Sequence, residues 1–231
     1  MNFGDFVEKY NFTDALPLMF STTGLGMGNM VNKMTMPVMQ AFGAQMARLM
    51  VGTQNSFSTS SGRNQDLYDA IADFLGEKVY YNTRAISSTR SDDGVSVTVR
   101  NVVSGQETVI NAKKLLIAIE PVATKLAAFD LDEHEEEVFS KFHFAREYTA
   151  IVSNPSLPTN YSTGLNIEAF SEHGPMHDSV SVEDLQAGFI QDLLGLQGMR
   201  STWYTGAAFS SNYQTILWQY NEVLLPQLLA A

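Results

Sequence analysis

Among the side chains of this sequence that can move protons, three are the candidates for catalysis: His143, Glu147 and Tyr204. If residues 141–152 form a strand, His143 and Glu147 share one of its faces, because side chains alternate between the two faces of a strand. A histidine near a carboxylate can act as a general acid or base, and it can equally be a structural surface pair. A tyrosine hydroxyl can donate a hydrogen bond to a reacting carbonyl. We take these three residues as the candidate catalytic groups.

Few other catalytic patterns are compatible with the sequence. It contains no cysteine, so there is no thiol nucleophile and no Cys-ligated metal. His173, His177 and Asp178 lie within one short stretch, but Gly174 and Pro175 exclude the helical spacing of a zinc-protease motif. We interpret this stretch as a polar loop and expect no metal site. A reaction that relies on pocket shape, orientation and hydrogen bonds needs no stronger nucleophile.

The last third of the chain is rich in aromatic residues separated by small ones, above all in the run GLQGMRSTWYTGAAF at residues 195–209. Small residues let a backbone approach a flat ligand closely, and aromatic rings line apolar pockets. The same rings can equally form core. We expect them to bind an apolar small molecule, together with two residues of an earlier helical stripe. The candidate substrate-binding residues are Trp203, Phe209, Tyr213, Trp218, Met46 and Phe42.

Helical periodicity dominates the first quarter of the chain, which would position that stripe. Residues 3–50 are typical of helices that Pro17 and Pro37 interrupt. Eight of the 11 methionines lie within residues 19–50, and methionine fills irregular space and tolerates movement. The region is therefore either a loosely packed helix pair of the core or a mobile cover over an apolar ligand.

The middle of the chain alternates helices and strands. The pattern predicts a helix over residues 64–75 that ends at Gly76. Its buried face would consist of Leu67, Ala70, Ile71 and Phe74. A short strand at residues 78–81 and three alternating runs, separated by turns at 92–94 and 103–105, follow. The run 115–119 is continuously apolar, which is typical of a strand covered on both faces.

Acidic and helical segments complete the chain. The acidic run at residues 130–137 predicts a helix with a solvated, charged face. Residues 141–152 predict the strand that carries His143. From Ser181 the pattern is helical again, and Asp184 completes a start similar to a capping box.

Bulk composition limits the partners. The 14 basic and 25 acidic residues give a net charge of −11, which argues against nucleic acid and against anionic membrane surfaces. No segment is long and apolar enough for a membrane span, and no secretory signal is evident. We therefore expect a cytoplasmic protein. A half-complete sheet would leave a strand edge that needs cover, so a homodimer is compatible with the pattern.

The aromatic run, followed by TILWQYNE at residues 215–222, resembles the C-terminal signature of a fungal family of FAD-dependent amine-oxidase-like proteins, the flavin-containing amine oxidoreductases. In that family a Thr-Gly-Ala turn closes over the flavin, so the resemblance places residues 203–206 beside the isoalloxazine ring. The helix, strand, meander and buried strand of residues 56–121 resemble the second half of a FAD-binding domain of the glutathione-reductase type. The resemblance implies an α/β (α+β) fold, in which a remnant of that domain joins a remnant of a substrate domain.

The sequence departs from that family at the cofactor end. The one Gly-x-Gly-x-x-Gly candidate, at residues 24–29, has Asn29 in place of the third glycine. It also follows a poor strand pattern and has no acidic residue about twenty positions later. We therefore expect the N-terminal Rossmann unit to be missing, along with a stretch of substrate domain between Ala169 and His173. The resemblance then implies a truncated family member that binds no cofactor, or FAD only if the missing unit is supplied.

The sequence thus predicts four segments. They are a helical cover (1–55), a FAD-binding-domain-like helix and meander (56–121), a substrate-domain remnant (122–180), and a C-terminal helix, Thr-Gly-Ala turn and closing helix (181–231). The leading functional hypothesis is a flavin-independent enzyme of secondary metabolism, a cyclase or isomerase acting on an apolar small molecule. The alternatives are a fragment or partner-completed form of a FAD-dependent oxidoreductase, and a non-catalytic small-molecule binding protein.

Overall fold

The computed structural model describes residues 1–23, 30–56, 59–151 and 169–230. The glycine candidate at residues 24–29 lies outside the described residues. The chain divides into two compact units, one comprising Met1–Ser88 and Ser96–Ile110, the other Thr89–Val95 and Asn111–Ala231. The division into four segments stays a prediction.

Short helices form a large part of the first unit. They are α1 (Phe3–Lys9), α2 (Leu16–Thr23), α3 (Thr35–Ala41), α4 (Ala44–Met50) and α5 (Gln65–Leu75). New helices begin at Leu16 and Thr35, so the helical stretch is interrupted beside Pro17 and Pro37 as predicted, and both prolines lie in the first turn of the new helix. The amides of a first turn have no partner within the helix, so proline costs little there. The buried residues are Phe3, Val7, Met19, Met30, Val38, Ala41 and Phe42.

Helix α5 confirms its predicted bounds but not its predicted burial. It ends at Gly76, which adopts a left-handed φ of 56°. Leu67, Ile71 and Phe74 are 38%, 43% and 89% exposed, and Ala70 is exposed as well. Helical periodicity predicts an apolar face, but it does not say whether a second element covers that face.

The three alternating runs form a three-stranded meander, as predicted. Strands β1 (Thr83–Ser91), β2 (Gly94–Asn101) and β3 (Glu107–Ala112) lie side by side in that order. Gly94 has a φ of 142°, and a Cβ at this position would lie 2.8 Å from the Ala112 carbonyl oxygen, so the turn requires glycine. The strand predicted at residues 78–81 is wrong: a 3-10 turn occupies Gly76–Lys78, and the first strand begins at Thr83.

Two short sheets belong to the second unit. Strand β4 (Leu115–Ile117) pairs in parallel with β7 (Thr202–Tyr204), and β5 (His143–Ile151) pairs antiparallel with β6 (Ala169–Ser179). Strand β4 is shorter than the predicted 115–119, and Leu116 is 45% exposed. The prediction that this strand is covered on both faces is therefore wrong within the described residues. Residues 173–178 lie on β6, so the predicted polar loop is also wrong.

Helices and aromatic rings build the core of the second unit. Its helices are α6 (Ala123–Leu126), α7 (Glu133–Ser140), α8 (Val182–Gln186), α9 (Phe189–Gly195) and α10 (Gln214–Ala230). The Ser181 hydroxyl accepts from the Asp184 amide at 3.0 Å, which confirms the predicted start of α8. The core comprises Ile117, Leu126, Val138, Phe139, Phe142, Phe189, Leu193, Leu196, Tyr204 and Phe209, among others. The mixed α/β fold class is confirmed. Within the described ranges, no helix combines the length and apolarity that a membrane crossing requires.

Candidate functional site

An apolar cleft of about 730 Å³ opens in the second unit, beside its core. Helix α6 with the segments on either side of it, helix α7 and the start of β5 supply the walls. The apolar lining includes Val122, Leu126, Leu131, Phe139, Phe142 and Phe144. Such a volume and lining are typical of small-molecule sites, which hold roughly 300–1,000 Å³.

Three polar side chains also line the cleft: Asp130, Glu136 and Ser140. The Asp130 carboxylate accepts from Arg200 at 2.6 Å. The Ser140 hydroxyl donates to the backbone carbonyl of Glu137 at 2.7 Å. Glu136 is exposed, and its carboxylate forms no hydrogen bond or ion pair with any residue that the structure describes. Glu136 is therefore the acidic group of the cleft that a ligand can engage.

A buried network of Arg90, Glu135 and Tyr204 lies close behind this wall. The Tyr204 hydroxyl donates to Glu135 Oε1 at 2.5 Å. Arg90 donates through Nη1 to the Tyr204 oxygen at 3.0 Å and to Glu135 Oε1 at 2.9 Å, and through Nη2 to Glu135 Oε2 at 2.5 Å. The Arg90 and Glu135 side chains are both 0% exposed. The phenol of Tyr204 is thus fully engaged by neighbouring side chains.

Burial and charge set the protonation of this network. Burial raises the pKa of Tyr204 well above its usual range, and the hydrogen bond to Glu135 raises it further. Burial alone would lower the pKa of Arg90, but the hydrogen bond and charge of Glu135 outweigh it, so the pKa of Arg90 is raised. Tyr204 therefore stays a neutral phenol, and Arg90 stays a cation.

Glu135 corrects the prediction that the acidic run has only a solvated face, because it is 0% exposed. Its amide donates to Asp132 Oδ1 at 2.8 Å, and its own carboxylate accepts from the Asp132 amide at 3.0 Å. This capping box turns the Glu135 side chain back towards the start of α7, where Arg90 lies. The spacing of Asp132 and Glu135 is a sequence signal for this capping box, but it does not reveal the buried partner Arg90.

The predicted aromatic residues separate into two groups. Trp203 and Phe209 are 4% and 9% exposed, and Phe209 stacks on Tyr204 with the ring centroids 5.7 Å apart. Trp218 is 45% exposed and lines another groove, on α10. Tyr213 is partly buried. None of these four residues lines the cleft.

The remaining predicted site residues do not line the cleft either. His143 is exposed on β5. Glu147 follows on the same strand, but the structure describes only its backbone. Phe42 is 8% exposed and Met46 is partly buried, and both belong to the first unit. The roles assigned to all these residues stay predictions. No group of three or more potential metal ligands occurs among the described residues.

Asp178 on β6 is a partly buried residue whose two carboxylate oxygens are shielded from solvent, and the sequence had suggested it only as part of the stretch with His173 and His177. Neither of its oxygens has a hydrogen-bond partner. Burial raises the pKa of Asp178 to about 6, and the negative charge of Glu120 raises it further, while Lys125 acts in the opposite direction. Glu120 and Lys125 form their own ion pair at 2.7 Å. The Asp178 carboxyl group is therefore only partly ionised when the pH is close to 6.

Comparisons with known proteins agree with this architecture. The CLA-producing fatty acid isomerase from P. acnes superposes with a TM-score of 0.72 at 17% identity, over 98% of this chain and 66% of that one. Beta-cyclopiazonate dehydrogenase of Aspergillus flavus is 28% identical, over 98% of this chain and 62% of its own length. The FAD-dependent oxidoreductase pigF of Monascus ruber is 25% identical, over 99% and 63%. No protein-family model matches the chain.

The structural match defines the class of fold: this chain has the mixed α/β fold of that isomerase. The chain itself is a relative of the fungal FAD-dependent oxidoreductases, which confirms the resemblance seen in its C-terminal run. It spans 62% of the length of the A. flavus relative. The alignment covers 290 positions and is longer than the 231 residues of this chain, so the relative has further residues inside the aligned region.

A dinucleotide needs several glycines where a strand turns into a helix, so that the backbone can approach the pyrophosphate. The connection from β4 to α6 has no glycine, and the connection after β7 has Gly206 alone before its 3-10 turn. The described residues therefore do not fit the diphosphate end of FAD.

Proposed function

We propose that this chain is a small-molecule enzyme of the isomerase or cyclase type, which holds an apolar substrate in the cleft of the second unit and needs no flavin. The cleft is the observation that carries the proposal. Its volume of about 730 Å³ suits a small molecule, and the rings of Phe139, Phe142 and Phe144 provide apolar walls.

Glu136 is the proton-transfer group of this proposal. Its carboxylate accepts a proton from one substrate carbon, and the electron pair of the broken C–H bond shifts along the substrate. The carboxyl group then returns the proton to a second carbon, so the reaction consumes no oxidant. Asp130 and Ser140 are less suited, because other groups already engage them. A positioned acid–base group contributes about 10²–10⁴-fold to a rate.

The three groups predicted from the sequence are secondary candidates. His143 lies next to two cleft residues along the chain, but successive side chains of a strand alternate in direction. Tyr204 would have to leave Glu135 before it could donate to a substrate. We therefore propose that Tyr204 supports the wall of the site from behind.

The binding step can be tested with Nile red, a neutral apolar dye. Ala127 lines the cleft and is exposed, so Ala127→Trp fills the cleft without entering the core. Thr124→Trp, at an exposed α6 position that does not line the cleft, is the matched control. We expect Ala127→Trp to weaken dye binding at least about tenfold. Equal binding by both variants would contradict the assignment of the cleft.

The reaction can be tested with a panel of apolar unsaturated compounds and mass spectrometry. An isomerase or cyclase gives products of unchanged mass. Glu136→Gln should lower such turnover about 100-fold or more while dye binding persists. Glu137→Gln, one position along the same helix, should retain activity. Dye binding without turnover of any compound would favour the non-catalytic binding protein.

The second candidate is a FAD-dependent oxidoreductase completed by a further segment or chain, and the names of the relatives favour it. The visible spectrum and a FAD titration of the purified protein separate the two candidates. We expect no stoichiometric flavin band and no binding tighter than about micromolar. A bound flavin together with products lighter by a pair of hydrogen atoms would favour the oxidoreductase instead.

A further inference from the structure

The outer edge of β7 is closed by a side chain. The amide of Gln197 takes the place of a neighbouring strand, because its Nε2 donates to the Tyr204 carbonyl at 3.0 Å and its Oε1 accepts from the Tyr204 amide at 2.8 Å. The Gly198 amide donates to the Thr202 carbonyl at 2.8 Å on the same edge. A further strand therefore cannot add to β7.

Strand β4 has the opposite arrangement. The Ile117 carbonyl accepts from the Thr205 amide at 2.9 Å, so the backbone groups of Ile117 point towards β7. Successive residues of a strand direct their N–H and C=O groups to opposite sides, which places those of Leu116 on the outer edge. No described strand pairs there, and Leu116 is 45% exposed. An open edge of this kind is a template for another chain.

An apolar groove of about 450 Å³ adjoins this edge. Leu116 lines it together with Trp218, Leu224, Leu225 and Leu228 of α10. Trp218 and Leu225 are 45% and 52% exposed. A contiguous apolar groove beside an open strand edge is typical of an interface.

Charge indicates which way a second strand would run. The exposed Lys113 precedes β4, and Glu120, which also pairs with Lys125 at 2.7 Å, follows it. Lys114 adds charge at the basic end, although its ammonium already donates to the Leu228 carbonyl. Two copies of β4 that pair antiparallel bring the basic end of one beside the acidic end of the other. A parallel pair would bring like charges together, which is unfavourable.

We propose that a second copy of this chain occupies this surface, with the two β4 strands paired antiparallel about a twofold axis at Leu116. The groove of each copy then covers the apolar residues of the other. The resulting sheet has the order β7-β4-β4-β7, and its outer edges are the two edges that Gln197 closes. Assembly therefore stops at a dimer instead of growing into a filament.

Sedimentation velocity over about 1–100 µM protein tests this proposal. We expect a concentration-dependent dimer whose dissociation constant rises at least about tenfold in Leu116→Lys, because two lysines would face each other at the axis. Val109→Lys adds the same charge at a 58% exposed position on β3 and should leave the dimer unchanged. Thermal melting checks that both variants fold.

Hydrogen exchange on the unmodified chain gives a second readout. The Leu116 amide should exchange more slowly at high protein concentration than at low concentration, since pairing in the dimer protects it. A chain that is monomeric throughout the range would overturn the proposal. So would a dimer that Leu116→Lys leaves intact, or open-ended oligomers.

Discussion

Replacing Asp178 by asparagine should stabilise the protein in a pH-dependent way. The folded state raises the pKa of Asp178 from 3.8 to about 6, chiefly through burial. The folded protein therefore binds this proton more tightly than the unfolded chain does, and the associated stability is lost as pH rises through about 6. Asparagine resembles the protonated carboxyl group and cannot ionise.

The pKa values set the size of the effect. The interval between 3.8 and about 6 corresponds to about 3 kcal/mol at most. Solvent screening of this partly exposed side chain lowers that figure, so we expect Asp178→Asn to raise the free energy of unfolding by about 1–2 kcal/mol at pH values near 8. The gain should disappear near pH 3.5, where the unfolded chain is also largely protonated.

Urea unfolding at several pH values measures this gain. Asp93→Asn, in the exposed turn between β1 and β2, is the matched control and should change the free energy of unfolding little at any pH. The reasoning about buried charge would be refuted if Asp178→Asn were no more stable than the parent near pH 8. A gain of the same size at low pH would refute it as well, because ionisation could not be its source.

Four further substitutions test the packing of the second unit by urea or thermal unfolding. Glu135→Ala should lower the free energy of unfolding by about 3–5 kcal/mol, since it leaves the buried Arg90 guanidinium without its carboxylate. Tyr204→Phe removes one hydrogen bond and should lower it by only about 1–2 kcal/mol. Equal losses in the two variants would contradict this ranking. Ser181→Ala removes the cap of α8 and should cost about 1 kcal/mol, and an unchanged melting temperature would mean that the cap contributes nothing. Gly206→Ala should cost about 1–3 kcal/mol, because the φ of 118° and ψ of −175° at this position suit glycine alone; full stability would show that the turn relaxes.

Local patterns predicted local structure well. The bounds of α5, the cap at Gly76 and the meander all follow from periodicity and turn residues over a few positions. The burial of Glu135 could not be predicted in the same way, since its partner Arg90 lies 45 positions earlier in the chain. The charge pattern of α7 concerns that helix alone, whereas the partner of Glu135 is Arg90 on strand β1.

The candidate site shows the same limit. The aromatic run led to Trp203 and Tyr204, which are buried in the core. The cleft instead uses Phe139, Phe142 and Phe144, which come from the end of α7 and the start of β5. Their spacing carries no signal of a pocket, because the pocket arises only when α6 packs against α7. The grouping of these three rings depends on tertiary contacts, which the sequence pattern does not show.

The buried Arg90 also bears on how this part of the protein opens. Its guanidinium links the end of β1 with Glu135 on α7 and Tyr204 on β7, and it donates to the Asp130 carbonyl at 2.9 Å. If any one of these segments detached alone, it would leave a charge or a polar group without a partner in an apolar interior, which is strongly unfavourable. The three segments are therefore coupled in their opening, and their backbone amides should exchange with solvent as one cooperative unit.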